Sequence, residues 1–180
     1  KEASHRAPDY YVITRALANF ARTLISGNSP FDKYTYQHQN GALNATEKAG
    51  MELFYSERTN CYNCHSGFNF TNYAFENNGL YESYDDEGRM RLTNSADDEA
   101  LFKVPTLRNI TVTAPYMHDG SMTTLKAIID HYNKGGKEHH NKNKFVKPLN
   151  LTEQEKEQLI AFLESLTDKQ FITEEKFKEQ

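Results

Sequence analysis

The stretch "RTNCYNCHSGF", residues 58 to 68, sets Cys61, Cys64 and His65 within five positions, and these two cysteines are all that the chain of 180 residues contains. Three chemistries use such a cluster: a zinc ion, a redox dithiol, or a haem held by two thioether bonds. A structural zinc site needs four ligands, usually two Cys/His pairs. Here no second pair accompanies the first, because His5, His38, His118 and His131 stand apart and His139–His140 lie in the polar run "GGKEHHNKNK". A thioredoxin-like dithiol calls for a βαβ setting, and little of this sequence reads as strand. The histidine directly after the second cysteine favours haem: in C-x-x-C-H each thiol adds to one vinyl group, and the adjacent imidazole reaches the iron.

The flanks support a helical domain around this motif. Upstream, "NATEKAGMELFYSE" (44–57) has Asn44 and Glu47 at capping-box spacing, with Met51, Phe54 and Tyr55 on one helical face. Downstream, "LTEQEKEQLIAFLESL" (151–166) opens with the same box at Thr152 and Glu155, and aligns Leu159, Ile160, Leu163 and Leu166. Two such helices, one entering the motif and one closing the domain, suit a small all-α, cytochrome c-like fold in which they cross. Gly50 supplies the small residue that a close crossing needs. The expected division is a linker and packing helix over 1–41, a haem domain over 42–168 and a tail over 169–180. In the linker, Ile13, Ala16, Leu17, Phe20, Ala21 and Leu24 recur at helical spacing, and "SGNSP" ends the helix by turn chemistry.

Composition excludes other classes. A net charge of −4 and a pI near 6.0 give no basic face for nucleic acid. Mean hydropathy is −0.81, and no apolar run approaches membrane-spanning length. The opening residues "KEASHRAPDYY" carry no secretory leader, which fits a removed leader or a longer parent chain. The acidic stretch 84–100 reads as a solvated loop.

A haem iron bound by His65 has one axial place left, and its occupant decides between peroxide chemistry and electron transfer. Met117 and Met122, in "APYMHDGSM", are the obvious candidates. Tyr132 is a less obvious one, on the stripe Leu125, Ile128, Ile129 and Tyr132. The pattern alone makes Tyr132 a core aromatic, with His131 pointing aside.

The run "FKVPTLRNITVTAPYMHDGSMTTLKAIIDHYNKGG", followed by "PLNLTEQEKEQLIAFLESLT", closely resembles the second half of the bacterial dihaem cytochrome c peroxidases, within the MauG-like branch. The likeness continues upstream through "CYNCHSGFNFTN" and "SGNSPFDKY". It implies one covalent haem c on Cys61, Cys64 and His65, in the domain that receives electrons and passes them on. It also implies that Tyr132, fourteen residues beyond His118, is the sixth ligand, with Met117 second. Met117 falls where the family accepts phenylalanine. Arg108 and Asn109 would hold the haem propionates, and His118 would shape the nearby loop without ligating iron. The carbonyls of Thr113 and Pro115 would help bind calcium, together with a side chain from the other domain. The implied partners are a peroxidatic haem domain outside this chain and an electron-donor or substrate protein, in the periplasm. No peroxide-cleaving residue is assigned here, and the fragment alone would be inactive. A stand-alone one-haem electron carrier is the alternative.

Overall fold

The computed structural model describes residues 9–177, so His5 and the outermost ends of the linker and tail lie outside the described residues. The first helix, α1 (Tyr10–Thr23), starts where the Asp9 carboxylate accepts the Val12 N–H. It buries none of its residues: Ile13, Leu17 and Phe20 stay exposed, and the Phe20 ring meets that of Phe177 with centroids 6.3 Å apart. Short α2 (Pro30–Thr35) follows, with a capping box between Ser29 and Asp32 and proline at its start, where the missing N–H costs nothing.

The frame of the domain is α3 (Ala45–Phe54) crossing α7 (Glu153–Glu164). Both begin in the capping boxes that the sequence announces, Asn44–Glu47 and Thr152–Glu155. Gly50 sits at the crossing. A Cβ built there would lie 1.9 Å from the Gln158 carbonyl oxygen and 2.9 Å from Phe162 Cβ. The small residue expected from sequence is therefore the contact itself. Between these two helices come the one-turn α4 (Cys61–Cys64), α5 (Met90–Thr93) and α6 (Leu125–Lys134). The only strands among the described residues are β1 (Phe75–Glu76) and β2 (Phe102–Lys103), antiparallel with Phe75 opposite Lys103. Past α7 comes α8 (Lys169–Ile172), capped by Asp168. The fold is thus mostly helical, as expected, with one small two-strand sheet.

The core gathers Phe31, Phe54, Phe70, Leu159, Phe162, Leu163 and Leu166 with Leu125 and Ile129 of α6. The rings of Phe70 and Phe162 each lie within 5.9 Å of those of Phe31 and Phe54. Phe31 is 3% exposed and Ser29 and Asp32 are fully buried, so α2 packs into the core while α1 buries none of its residues. Polar bonds continue the seam. The Asp168 carboxylate accepts the Gly27 and Asn28 N–H groups at 3.0 and 2.9 Å, and its own N–H donates to Asn109 Oδ1 at 2.7 Å.

Candidate functional site

The motif leaves α3 through a tight loop. Asn60, in the left-handed region (φ 56°), turns the chain into α4. Arg58 holds this loop to the start of α7, pairing with Glu155 and donating to the Leu149 and Asn150 carbonyls. The same Glu155 caps α7 through Thr152, and these donors keep its carboxyl at about 2. Beyond the motif, the Asn72 N–H returns to the Cys64 carbonyl at 2.8 Å.

Cys61 and Cys64 are free thiols, each half-buried. Burial pushes the Cys61 thiol up. Burial, with the charges of Glu76 and Cys61, pushes Cys64 to about 11. A catalytic dithiol needs the opposite, a thiolate stabilised near neutral pH. Among the described residues no carboxylate or further imidazole joins these thiols in a metal-holding group of three, so the four-ligand zinc reading lacks its donors.

His65 follows in the orientation a ligand needs. Its Nδ1 lies 3.0 Å from the Phe70 carbonyl oxygen, an acceptor, so Nδ1 carries the proton and Nε2 keeps its lone pair. Burial lowers its basicity against the pull of the Phe70 and Pro105 carbonyls, which keeps the imidazole neutral.

Tyr132 comes from the C-terminal half of α6, packed against the core beside Ile128. Thr124 caps α6 at its start. At its end Gly135 (φ 83°) turns so close to Pro148 that a Cβ would meet its Cδ at 2.5 Å. Burial pushes the phenol to about 12, opposed by the Asn78 amide and reinforced by the charges of Cys61, Cys64 and Tyr84. The field of both thiols therefore reaches Tyr132. Asn78 Nδ2 donates to Met117 Sδ at 3.3 Å. His131 points aside, its Nε2 2.9 Å from the Asn78 carbonyl. Nothing in the sequence singles out Asn78. Two thiols, an imidazole with a free Nε2 and a phenol form a donor set that fits a covalently held haem iron and does not fit a redox disulfide.

Arg108 and Asn109 differ from expectation. The Arg108 guanidinium is buried and forks onto Asp32 with two bonds of 2.9 Å, while Nε donates to the Phe68 carbonyl at 2.6 Å. A buried carboxylate demands such a partner, and this claim on Arg108 displaces the propionate role. Asn109 gives its amide to Ser26 Oγ and its carbonyl oxygen to the Asp168 N–H, so it is a structural tie as well. Exposed His118 stacks on Phe102 with ring centroids 3.8 Å apart, which fits a loop-shaping residue. Thr113 and Pro115 are exposed.

Burial raises the Asp32 carboxyl, but hydrogen bonds from Arg108 and Ser29 outweigh it and hold the group below its ordinary 3.8. A depressed carboxyl stabilises the fold above its unfolded pKa, and that share is lost as pH falls through the folded one. Arg108→Met is expected to cost about 3–5 kcal/mol near neutral pH by stranding the carboxylate. Below about pH 4 the gap to the parent protein should narrow, because a stranded carboxyl simply protonates. Urea titrations at pH 3.5 and 7 check both; a gap independent of pH would count against the ion pair.

Comparison with known proteins identifies the family of the chain. A family profile described as "Cytochrome c" matches residues 47–167. The methylamine utilization protein MauG of Methylorubrum extorquens is 38% identical over 155 residues, covering 86% of this chain and 43% of that protein. Cytochrome-c peroxidase IdrP1 of Pseudomonas sp. strain SCT is 34% identical over 185 residues, covering 85% of this chain and 48% of its own length. The chain thus spans about half the length of these curated relatives. The crystal structure of a MauG-like protein associated with microbial copper homeostasis superposes with a TM-score of 0.87 at 31% identity, over 97% of this chain and 58% of that one.

Proposed function

Because the chain belongs to the cytochrome c family, we propose that it is the electron-transfer haem domain of a MauG-like dihaem oxidoreductase, with haem c held by Cys61, Cys64, His65 and Tyr132. When bound, the haem supplies a one-electron iron couple. The protein's residues govern that couple. The two cysteines fix the group to α4. The Phe70 carbonyl holds His65 in one tautomer, with Nε2 directed to ligation. On the other side, the Asn78 amide stabilises the anionic form of Tyr132. A bound cation displaces a phenol proton as it does that of a thiol or water. As a hard anionic donor, the Tyr132 oxygen would favour oxidised iron.

The observation that carries this reading is the CxxCH motif with His65 Nδ1 fixed on the Phe70 carbonyl, and with Cys61 and Tyr132 packed against the same core. A protein ligand on each side suits storage and relay of electrons rather than peroxide cleavage. The relay partners are a peroxidatic haem domain outside residues 1–180 and a donor or substrate protein, in the periplasm. The greater length of the matched relatives supports such a second domain. The Thr113 and Pro115 carbonyls are assigned to a calcium ion shared with it.

Tyr132→Phe should convert the ferric protein from low to high spin and raise its potential, while Met117→Ala should leave the spectrum in place. Optical and electron paramagnetic resonance spectra of the haem-loaded protein decide this. Loss of the low-spin state in Met117→Ala, with Tyr132→Phe silent, would reverse the ligand assignment.

A further inference from the structure

Far from the motif in sequence, two loops are bound together by one side chain. Asn141 Nδ2 donates to the Ala96 carbonyl at 3.1 Å and the Glu99 carbonyl at 3.0 Å. This brings His139 and His140, in the turn after α6, against Glu99. Each of the three offers one ligand atom, and these atoms lie within 4.8 Å of one another. His140 Nε2 is 3.3 Å from Glu99 Oε2, and the two imidazole rings are 4.4 Å apart.

We propose that Glu99, His139 and His140 bind a borderline divalent transition-metal ion of the zinc or copper kind. Two imidazoles and a carboxylate are the donor types such ions take, with water completing the shell. Donors around a tetrahedral ion with bonds of about 2.1 Å stand roughly 3.4 Å apart. From 4.8 Å the site must therefore tighten by up to about 1.4 Å, and the side chains of His140 and Glu99, 57% and 37% exposed, are on the surface where they can move. The surrounding charge favours a cation: residues 84–100 carry six carboxylates against two arginines. Lys142 is turned onto Glu138 instead. Asn141 N–H and Asn77 Nδ2 lie 3.1 and 3.3 Å from His139 Nδ1. Ligation at that nitrogen would compete with both donors.

The inference uses none of the residues assigned to haem. The test is calorimetric titration of chelator-washed, haem-loaded protein with zinc, paired with copper(II) electron paramagnetic resonance. One equivalent should bind, at least ten-fold more weakly in His140→Ala and in Glu99→Gln. Nitrogen splitting from two imidazoles should fall to one in His140→Ala. Circular dichroism confirms that these surface variants fold. No uptake, or equal uptake by the His140→Ala/Glu99→Gln double variant, would overturn the proposal.

Discussion

The double variant Cys61→Ser/Cys64→Ser should lose all covalently bound haem, the largest effect expected of any change in this chain. The parent protein should keep its colour through extraction with acidified acetone, and the double variant should release it to the solvent. Each single variant should retain the group by one thioether, with its pyridine haemochrome band shifted by the one vinyl left in conjugation. The prediction rests on the state of the thiols. Both are pushed up by burial, Cys64 to about 11, so neither is a ready nucleophile or zinc ligand near neutral pH. They are suited to a bond made once and kept. Haem that stays bound in the double variant, or a parent protein that yields zinc and no haem, would remove the premise of the proposed function.

The second large effect is expected at Gly50. Gly50→Ala places a methyl group 1.9 Å from the Gln158 carbonyl oxygen, far inside van der Waals contact, so α3 and α7 must move apart. Overpacking commonly costs 1–3 kcal/mol. Here the obstacle is backbone and cannot rotate away, so a loss of about 3 kcal/mol is expected, or roughly 10 °C in midpoint at this chain length. Gly41→Ala is the matched control, because a Cβ at Gly41 meets nothing within 4 Å. A thermal melt comparing the two variants decides the matter. Equal midpoints would mean that the helices do not cross at Gly50.

The parts of this fold legible in the sequence share a cause: their signals are local. The capping boxes at Asn44 and Thr152 and the apolar stripes after them lie within one or two turns, and the structure reproduces both helices. Phe162 escaped the stripe on α7 although it is fully buried. That helix packs on α3 with one face and towards α6 with another, as the 2.7 Å bond from Lys156 to Asp130 shows, so its apolar band is wider than a single line. Long-range ties left no local trace. Asp32 meets Arg108 across 76 residues, and Asp168 meets Asn28 across 140. Each is a common residue type that only the folded chain explains. The α2 segment carried an unused sign, the Ser29–Asp32 box with proline after it. At the candidate site, the motif of Cys61, Cys64 and His65 was legible because its chemistry sits within five positions. The face bearing Tyr132 was legible by period, but its role came only through resemblance, and Asn78 carried no signal at all.

The knot of bonds around Asp168 also governs how the molecule answers to force. Any pull along α1 travels down the backbone to Gly27 and Asn28 and arrives at one carboxylate just past the end of α7. The load thus meets the bonds of Ser26, Gly27 and Asn28 to Asp168 before it reaches Phe31 of the ring-packed interior.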